Sequence, residues 1–562
     1  MILLKKTPFL LVIALFISLF TNAQKLSSGP QVLTFHSDVD DTEQPYGLYL
    51  PKNYNPKKKY PFVVMLHGAG SNHRLSLRRV FGKSNAQGES DVEASRYFPE
   101  WKNVNYIVVS SFARGTMGYQ GVVEKDVMDM IADAKKRFSI DEDRTYLTGL
   151  SMGGGGTMWI GLSRPDMWAA IAPVCPAPPQ GTLELVPNAL NFPVYFFQGD
   201  KDQAVNVDST RKWVKRLKDI GTKVEYTEYP GVNHNSWENA YKDGFIFEWF
   251  SKFKRNAFPE RVRFSASQHK HNKAYWVTFD EFTVGKTASI DAKFTSKNHI
   301  EISTLGSSLT TFTLNLENHP KFKKDAPLEV TIDGKSITAQ GNSNVSFSKN
   351  SGSWAEGAFT QAELSKKVGA EGPMNEAIAD RHIYVYGTAG NPSADELTKR
   401  RNDAQKAAEW SIYRGDFLGR VMVFPRTLSD KEVRPSDIEF SNLILFGTKE
   451  TNTLIAKFAD KLPMELNQNS TEYGLSYTFP VGNHYVLVNS GLPWWTVADA
   501  PNGPVTRQGS PVAMNALNRF QDFVLFKGTL TNIISGGRFD NNWKLPSAEA
   551  EKMKSIGVVT VK

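Results

Sequence analysis

The stretch Thr145-Tyr146-Leu147-Thr148-Gly149-Leu150-Ser151-Met152-Gly153-Gly154 decides the reading of this chain. Its first residues are those of a short buried strand, and its last ones open a glycine-rich helix. Between them stands a serine flanked two residues either side by glycine. That pattern fits a sharp strand-to-helix turn in which the serine is held strained and exposed, while the glycines let neighbouring chain pass close by. The helix that follows directs backbone N–H groups and its positive end at any oxyanion formed beside the serine. Ser151 is therefore the candidate nucleophile.

A serine hydroxyl needs a base to take its proton, and the base needs an acid to hold its tautomer. In a strand–turn–helix site of this kind the acid and then the histidine follow the serine along the chain, each after a later strand. His234, after the strand ending near Tyr229, is the only histidine between Ser151 and the end of this region. Asp202 lies just past the strand ending at Phe197. Asp200 competes with it, but its place at the strand end suits capping the turn. His67-Gly68-Ala69-Gly70 follows the apolar strand Pro61 to Leu66, where a second oxyanion donor belongs, so the backbone N–H groups of Ala69 (or Gly70) and Met152 are the expected pair. Gly70 and Trp237 are expected on the substrate side, and His67 is expected to support its loop. No metal and no organic cofactor is needed.

Working outward, short apolar strands alternate with helical segments from about Val32 to Phe253. Tyr106 to Val109, Thr145 to Leu147 (after an Asp141-Glu142-Asp143 turn), Tyr195 to Phe197 and Val224 to Thr227 read as strands. Val123, Val127, Met130, Ile131, Ala134 and Phe138 recur at helical spacing. This alternation implies a mostly parallel sheet with helices on both faces. Residues 261–347 switch to Thr, Ser, Val and Phe with period-two alternation, the pattern of a small all-β domain. Ser346 to Gly357 reads as a linker. From about Gly372 the α/β pattern returns, with a helix expected from Ser393 to Ile412. The expected division is 1–23 leader, 24–257 catalytic α/β domain, 258–350 β-rich domain and 370–562 C-terminal α/β domain.

Residues 46–253 resemble the α/β-hydrolase superfamily, specifically secreted esterases and prolyl-oligopeptidase-like serine hydrolases, including carbohydrate esterases of the feruloyl and acetyl xylan type. Besides the serine turn, the segments carrying the resemblance are Tyr49-Leu50-Pro51, Leu66 to Gly70, Arg114-Gly115, Gly199-Asp200-Lys201-Asp202 and Asn233 to Trp237. The resemblance implies a carboxylic ester hydrolase working through Ser151, His234 and Asp202. It does not specify a substrate. No propeller-sized segment precedes the domain and the chain between Val174 and Phe192 is short, so an open site taking acyl groups from a polysaccharide or other bulky carrier is expected. A peptidase and a glycan-binding envelope protein are the alternatives.

The whole chain bounds these readings. Its 562 residues carry 66 Lys+Arg against 58 Asp+Glu, a net charge of +8, with 40% hydrophobic residues. This is ordinary folded-protein composition, and no basic aromatic stripe points to nucleic acid. A basic pair, Lys5-Lys6, precedes an apolar run from Pro8 to Phe20 that ends near the small residue Ala23. The run is shorter than the roughly 20 residues that span a bilayer, so it reads as a cleaved export signal, with a periplasmic or secreted destination. Cys175 is the single cysteine, which excludes an intrachain disulfide. Its apolar surroundings read as burial. His269-Lys270-His271 alternates like a strand and is expected as an exposed polar face, with no metal. Trp494-Trp495 is expected to pack in a core. Thr388 to Ser393 lacks a nucleotide-binding pattern.

Overall fold

The computed structural model describes residues 26–304, 306–409, 412–413, 420–495 and 517–562. The expected leader, residues 1–23, lies outside them. Among the described residues no helix is long and apolar enough to cross a membrane.

The first domain is built on an eight-stranded sheet. Its strands in chain order are β1 (Gly29–Ser37), β2 (Thr42–Leu50), β3 (Tyr60–Leu66), β4 (Ile107–Ser111), β5 (Ile140–Leu150), β6 (Ala170–Val174), β7 (Val194–Gly199) and β8 (Val224–Tyr229). In space the order is β1-β2-β4-β3-β5-β6-β7-β8. The β1–β2 hairpin joins β4 antiparallel, and from β4 to β8 every pairing is parallel. Helices α1 (His73–Val80), α2 (Val122–Arg137), α3 (Met152–Ser163), α4 (Val207–Asp219) and α5 (Phe245–Phe250) cover the sheet. Because side chains alternate along a strand, Phe62, Val64 and Leu66 of β3 join the core under α2, α3 and α4. Val63 and Met65 join the core under α1 and α5. A parallel sheet buried on both faces accounts for its nearly uninterrupted apolar strands.

β5 differs from expectation. The acidic triplet is no separate turn but a bulge inside one strand: Tyr60 pairs with Ile140 and Phe62 with Thr145, so the intervening residues loop out. The Asp141 carboxylate accepts the Asp143 N–H at 3.2 Å within that bulge. Turn chemistry is present locally, and ladder pairing on either side carries the strand through it.

Residues 261–356 form two five-stranded sheets packed around one apolar core. The expected linker from Ser346 is a correction: Asn344–Asn350 and Ser353–Glu356 are paired strands at the edge of one sheet. Their polar side chains face solvent while Val345, Phe347 and Trp354 are buried, so the polar pattern belonged to an edge hairpin and the sandwich runs past residue 350.

The C-terminal region holds a seven-stranded sheet. Arg426–Ser429, His382–Tyr386, Asn442–Phe446 and His484–Gly491 pair parallel, and Tyr473–Val481, Phe523–Lys527 and Ile533–Gly537 add antiparallel. The helix expected to reach Ile412 spans Ala394–Ala407, opened by the Ser393 hydroxyl accepting the Glu396 N–H. Ile412 pairs instead with Val421 in a two-stranded ladder. Trp494 and Trp495 are buried, packed edge-on to each other, with Trp494 Nε1 donating to Asn489 Oδ1 at 2.8 Å.

His269-Lys270-His271 is a second correction. The three residues form a 3-10 turn, and both imidazoles are buried. His271 Nε2 meets Glu124 of α2 at 2.5 Å, and His269 stands 3.4 Å from Glu371. Arg164 and Lys270 complete the cluster, paired with Glu124 and Glu376 at 2.7 and 2.8 Å. The carboxylates arrive from the domains before and after the sandwich, 147 and 102 residues away. Local periodicity carries no trace of such partners.

Candidate active site

Ser151 sits between β5 and α3 with φ 55° and ψ −116°, a strained left-handed conformation. The turn closes tightly enough that a Cβ on Gly153 would stand 2.1 Å from the Leu66 carbonyl oxygen, and one on Gly149 2.3 Å from that of Gly153. Only glycine fits at either position. The Ser151 N–H donates to the Val174 carbonyl at 2.9 Å, tying the turn to β6. Ser151 and Met152 are half-buried, so the hydroxyl stands at the carboxyl edge of the sheet within reach of solvent.

His234 and Asp202 come to it from the loops after β8 and β7. His234 Nε2 lies 2.9 Å from Ser151 Oγ, and His234 Nδ1 lies 2.8 Å from Asp202 Oδ2. The Asp202 side chain is fully buried and the His234 side chain 27% exposed. Asp202 also accepts the N–H groups of Ala204 and Val205, at 2.9 and 2.8 Å, and the Gln198 amide at 2.7 Å. Burial pushes this carboxyl upward, but the donation from His234 and the Val205 and Ala204 amides outweighs it and holds its pKa below the usual range. A carboxylate that stays ionised fixes the Nδ1–H tautomer and leaves Nε2 free to accept a proton. Asp200 is turned elsewhere, with its Oδ1 accepting the Gly231 N–H at 2.7 Å.

The His67–Gly70 loop runs against the serine turn, where a Cβ on Gly68 would meet the Leu150 side chain at 2.7 Å and Ser151 Cβ at 3.4 Å. Gly70 donates its N–H to Thr116 Oγ1 at 3.0 Å and Ser71 donates to the Gly68 carbonyl at 3.2 Å. Those bonds engage the Gly70 and Ser71 amides within the loop. Gly70 itself is thereby a loop anchor. His67 is buried between the carbonyls of Gly68 and Phe112, each 2.7 Å from a ring nitrogen, and burial lowers its pKa. It is a support for the loop. Trp237 packs edge-on against the His234 ring, centroids 5.5 Å apart, so it braces the imidazole from one side.

Cys175, Asp202 and His234 offer ligand atoms within 4.8 Å of one another. The imidazole and carboxylate are already bonded to each other, and burial pushes the Cys175 thiol up to about 12.

Two contributors had no signal in the sequence. Gln198 is buried and bridges Asp202 to Thr210, whose hydroxyl donates to Gln198 Oε1 at 2.9 Å. Tyr119 donates its hydroxyl to the His67 carbonyl at 3.0 Å. Neither residue type is diagnostic: Gln198 acts four residues along on Asp202, and Tyr119 on a loop 52 residues away.

Residues 40–246 match the family model described as putative esterase. An endo-1,4-beta-xylanase/feruloyl esterase from Xylanibacter ruminicola is 27% identical over 220 residues, which cover 36% of this chain and 29% of that relative. The chain thus spans under a third of that relative's length. A thermostable esterase of known structure is 28% identical, covering 40% of this chain and 63% of its own, with a TM-score of 0.33. A ferulic acid esterase structure from Anaeromyces mucronatus is 20% identical, covering 40% of this chain and 92% of its own, with a TM-score of 0.29. The first domain is similar to esterases, and the family match ends before the sandwich begins.

Proposed function

We propose that the protein is a serine carboxylic ester hydrolase acting on acyl groups carried by a polysaccharide or another bulky carrier. The observation that carries this reading is the unbroken chain of hydrogen bonds from Ser151 Oγ through His234 to Asp202, at 2.9 and 2.8 Å. Ser151 Oγ attacks the ester carbonyl as His234 Nε2 takes its proton. The developing oxyanion is held by the N–H groups of Ala69 and Met152, backed by the positive end of α3. As the tetrahedral intermediate collapses, His234 returns the proton to the departing alcohol. A water molecule, deprotonated in its turn by His234, then releases the acid from the acyl-enzyme.

The carrier follows from access. The imidazole is reachable from solvent, and the chain between β6 and β7 includes a 3-10 stretch, Leu183–Asn191, whose Leu185 and Ala189 are buried in the domain's core. A segment committed to the core is a poor lid, which supports an ester whose alcohol side is a large chain. The leader-like residues 1–23 support export to the envelope or beyond, where such polymers occur.

The experiment is hydrolysis of a short-chain nitrophenyl ester by the purified chain, followed by acetylated and feruloylated xylan oligosaccharides, each beside Ser151→Ala. Release of acid from the oligosaccharides by the wild type alone is the expected result. Hydrolysis of nitrophenyl ester with no release from any glycan ester would remove the carrier assignment, and equal rates in the variant would remove the serine.

A further inference from the structure

The loop Phe112–Tyr119 holds the His67–Gly70 loop at three points. The Phe112 carbonyl faces His67 Nε2 at 2.7 Å, Thr116 Oγ1 accepts the Gly70 N–H at 3.0 Å, and Tyr119 donates to the His67 carbonyl at 3.0 Å. This supporting loop is itself strained: Ala113, Arg114 and Gly115 have φ of 52°, 45° and 86° in succession. Two consecutive non-glycine residues at positive φ are unfavourable, so the conformation persists only where its surroundings impose it.

What imposes it is Arg114, whose side chain is wholly buried. Its guanidinium donates to Asp40 at 2.7 and 3.1 Å, to Ser37 Oγ at 2.8 Å and to Asp126 of α2. The remaining contacts come from more than 300 residues further along the chain. The Met422 N–H donates to the Arg114 carbonyl at 3.3 Å, Arg114 Nη1 reaches the Met422 carbonyl at 3.4 Å, and the Phe424 N–H donates to Asp40 Oδ2 at 2.8 Å. Asp40 is thereby shared between the arginine and the C-terminal domain. Met117, on the same loop, packs against the cores of both domains.

We infer that the C-terminal domain is a working part of the esterase site: its segment Met422–Phe424 clamps Arg114 and Asp40, and through them the Phe112–Tyr119 loop, so that the oxyanion loop His67–Gly70 is held in register with Ser151. Arg114 and Asp40 are positioning residues that touch no substrate. The inference rests on the oxyanion role assigned to Ala69 above, and it deepens that reading by assigning the C-terminal domain a task in the same reaction. A backbone donor aimed at a developing oxyanion stabilises it only if it is fixed beforehand. The consequence of loosening the clamp is therefore a lower kcat, since ground-state binding of the ester does not use that donor.

Two full-length variants test this. Asp40→Asn keeps the side-chain shape and removes the charge shared by Arg114 and Phe424. Phe424→Pro removes one N–H from the C-terminal domain at a half-exposed side chain, 48% accessible, and leaves the first domain untouched. In each variant that retains the wild-type circular dichroism, amide exchange of the peptide covering residues 67–72 is expected to quicken about tenfold, and kcat for a nitrophenyl ester to fall about tenfold with KM nearly unchanged. Folded Phe424→Pro with wild-type exchange in that peptide and wild-type kcat overturns the inference, as does a variant that alters KM alone. A wild type without Ser151-dependent hydrolysis counts against the esterase reading instead, and the exchange measurement still decides whether the C-terminal domain holds the loop.

Discussion

At the scale of single residues, the site separates two aspartates that stand two positions apart on one loop. Asp202 receives four hydrogen bonds, one of them from His234, whereas Asp200 caps a backbone amide. Asp202→Asn is expected to lower kcat by roughly 10³–10⁴-fold, because an amide no longer selects the Nδ1–H tautomer or stabilises the imidazolium. Asp200→Asn keeps an oxygen for the Gly231 N–H and is expected to leave kcat near wild type. Steady-state kinetics on one aryl ester reads both, and equal effects would mean that the acid is misassigned. Ser151→Ala is expected to lose at least about 10³-fold with KM little changed.

At the scale of elements, the serine turn depends on backbone approaching backbone. Gly153→Ala drives a methyl group to 2.1 Å from the Leu66 carbonyl, a collision no side-chain rotation relieves. Loss of hydrolysis with a destabilisation of a few kcal/mol is the expected outcome, checked by urea unfolding beside the activity assay. The Ala394–Ala407 helix offers a contrasting case. Ser393→Ala removes the N-cap and is expected to cost about 1 kcal/mol without altering ester hydrolysis, because the cap lies outside the site and its supporting loops. A fall in kcat from Ser393→Ala would mean that the C-terminal domain is coupled to the serine more widely than through Met422–Phe424.

Across the whole molecule, buried histidines stand in all three domains. Burial lowers the pKa of His67, of His73 to about 3, of His271, of His319 and of His382 to about 4. Each therefore binds a proton more readily unfolded, where its pKa is about 6.5, than folded. The sign follows from linkage: a depressed folded pKa contributes stability that is present above the unfolded value and lost as pH falls below it. Stability to urea is expected to decline between about pH 7 and pH 5, before most carboxylates titrate. Equal midpoints at both pH values, or a higher one at pH 5, would contradict this. His271 is the most telling of the five, because it packs on Glu124 at the meeting of the three domains.

Much of the site was legible because strand-to-helix turn chemistry is local. The glycines flanking Ser151 are demanded by contacts within a few residues or one strand away. His234 was found by chain order and by being the sole histidine available, and the choice of Asp202 followed from its place beyond the strand end. Composition and periodicity likewise determined the alternating α/β character of the first domain and the all-β character of the second. Tertiary structure decided what depends on partners far off in sequence. It turned the Asp141–Asp143 signal into a bulge, because β3 pairs on both sides of it. It made an edge hairpin of a polar stretch that read as a linker. It buried His269 and His271, because their carboxylates come from other domains. It also made Arg114, legible only as part of a motif, the point where a strained loop, a helix and the C-terminal domain meet. Local pattern reports what a segment prefers, and long-range hydrogen bonds and ion pairs report what the assembled fold requires of it.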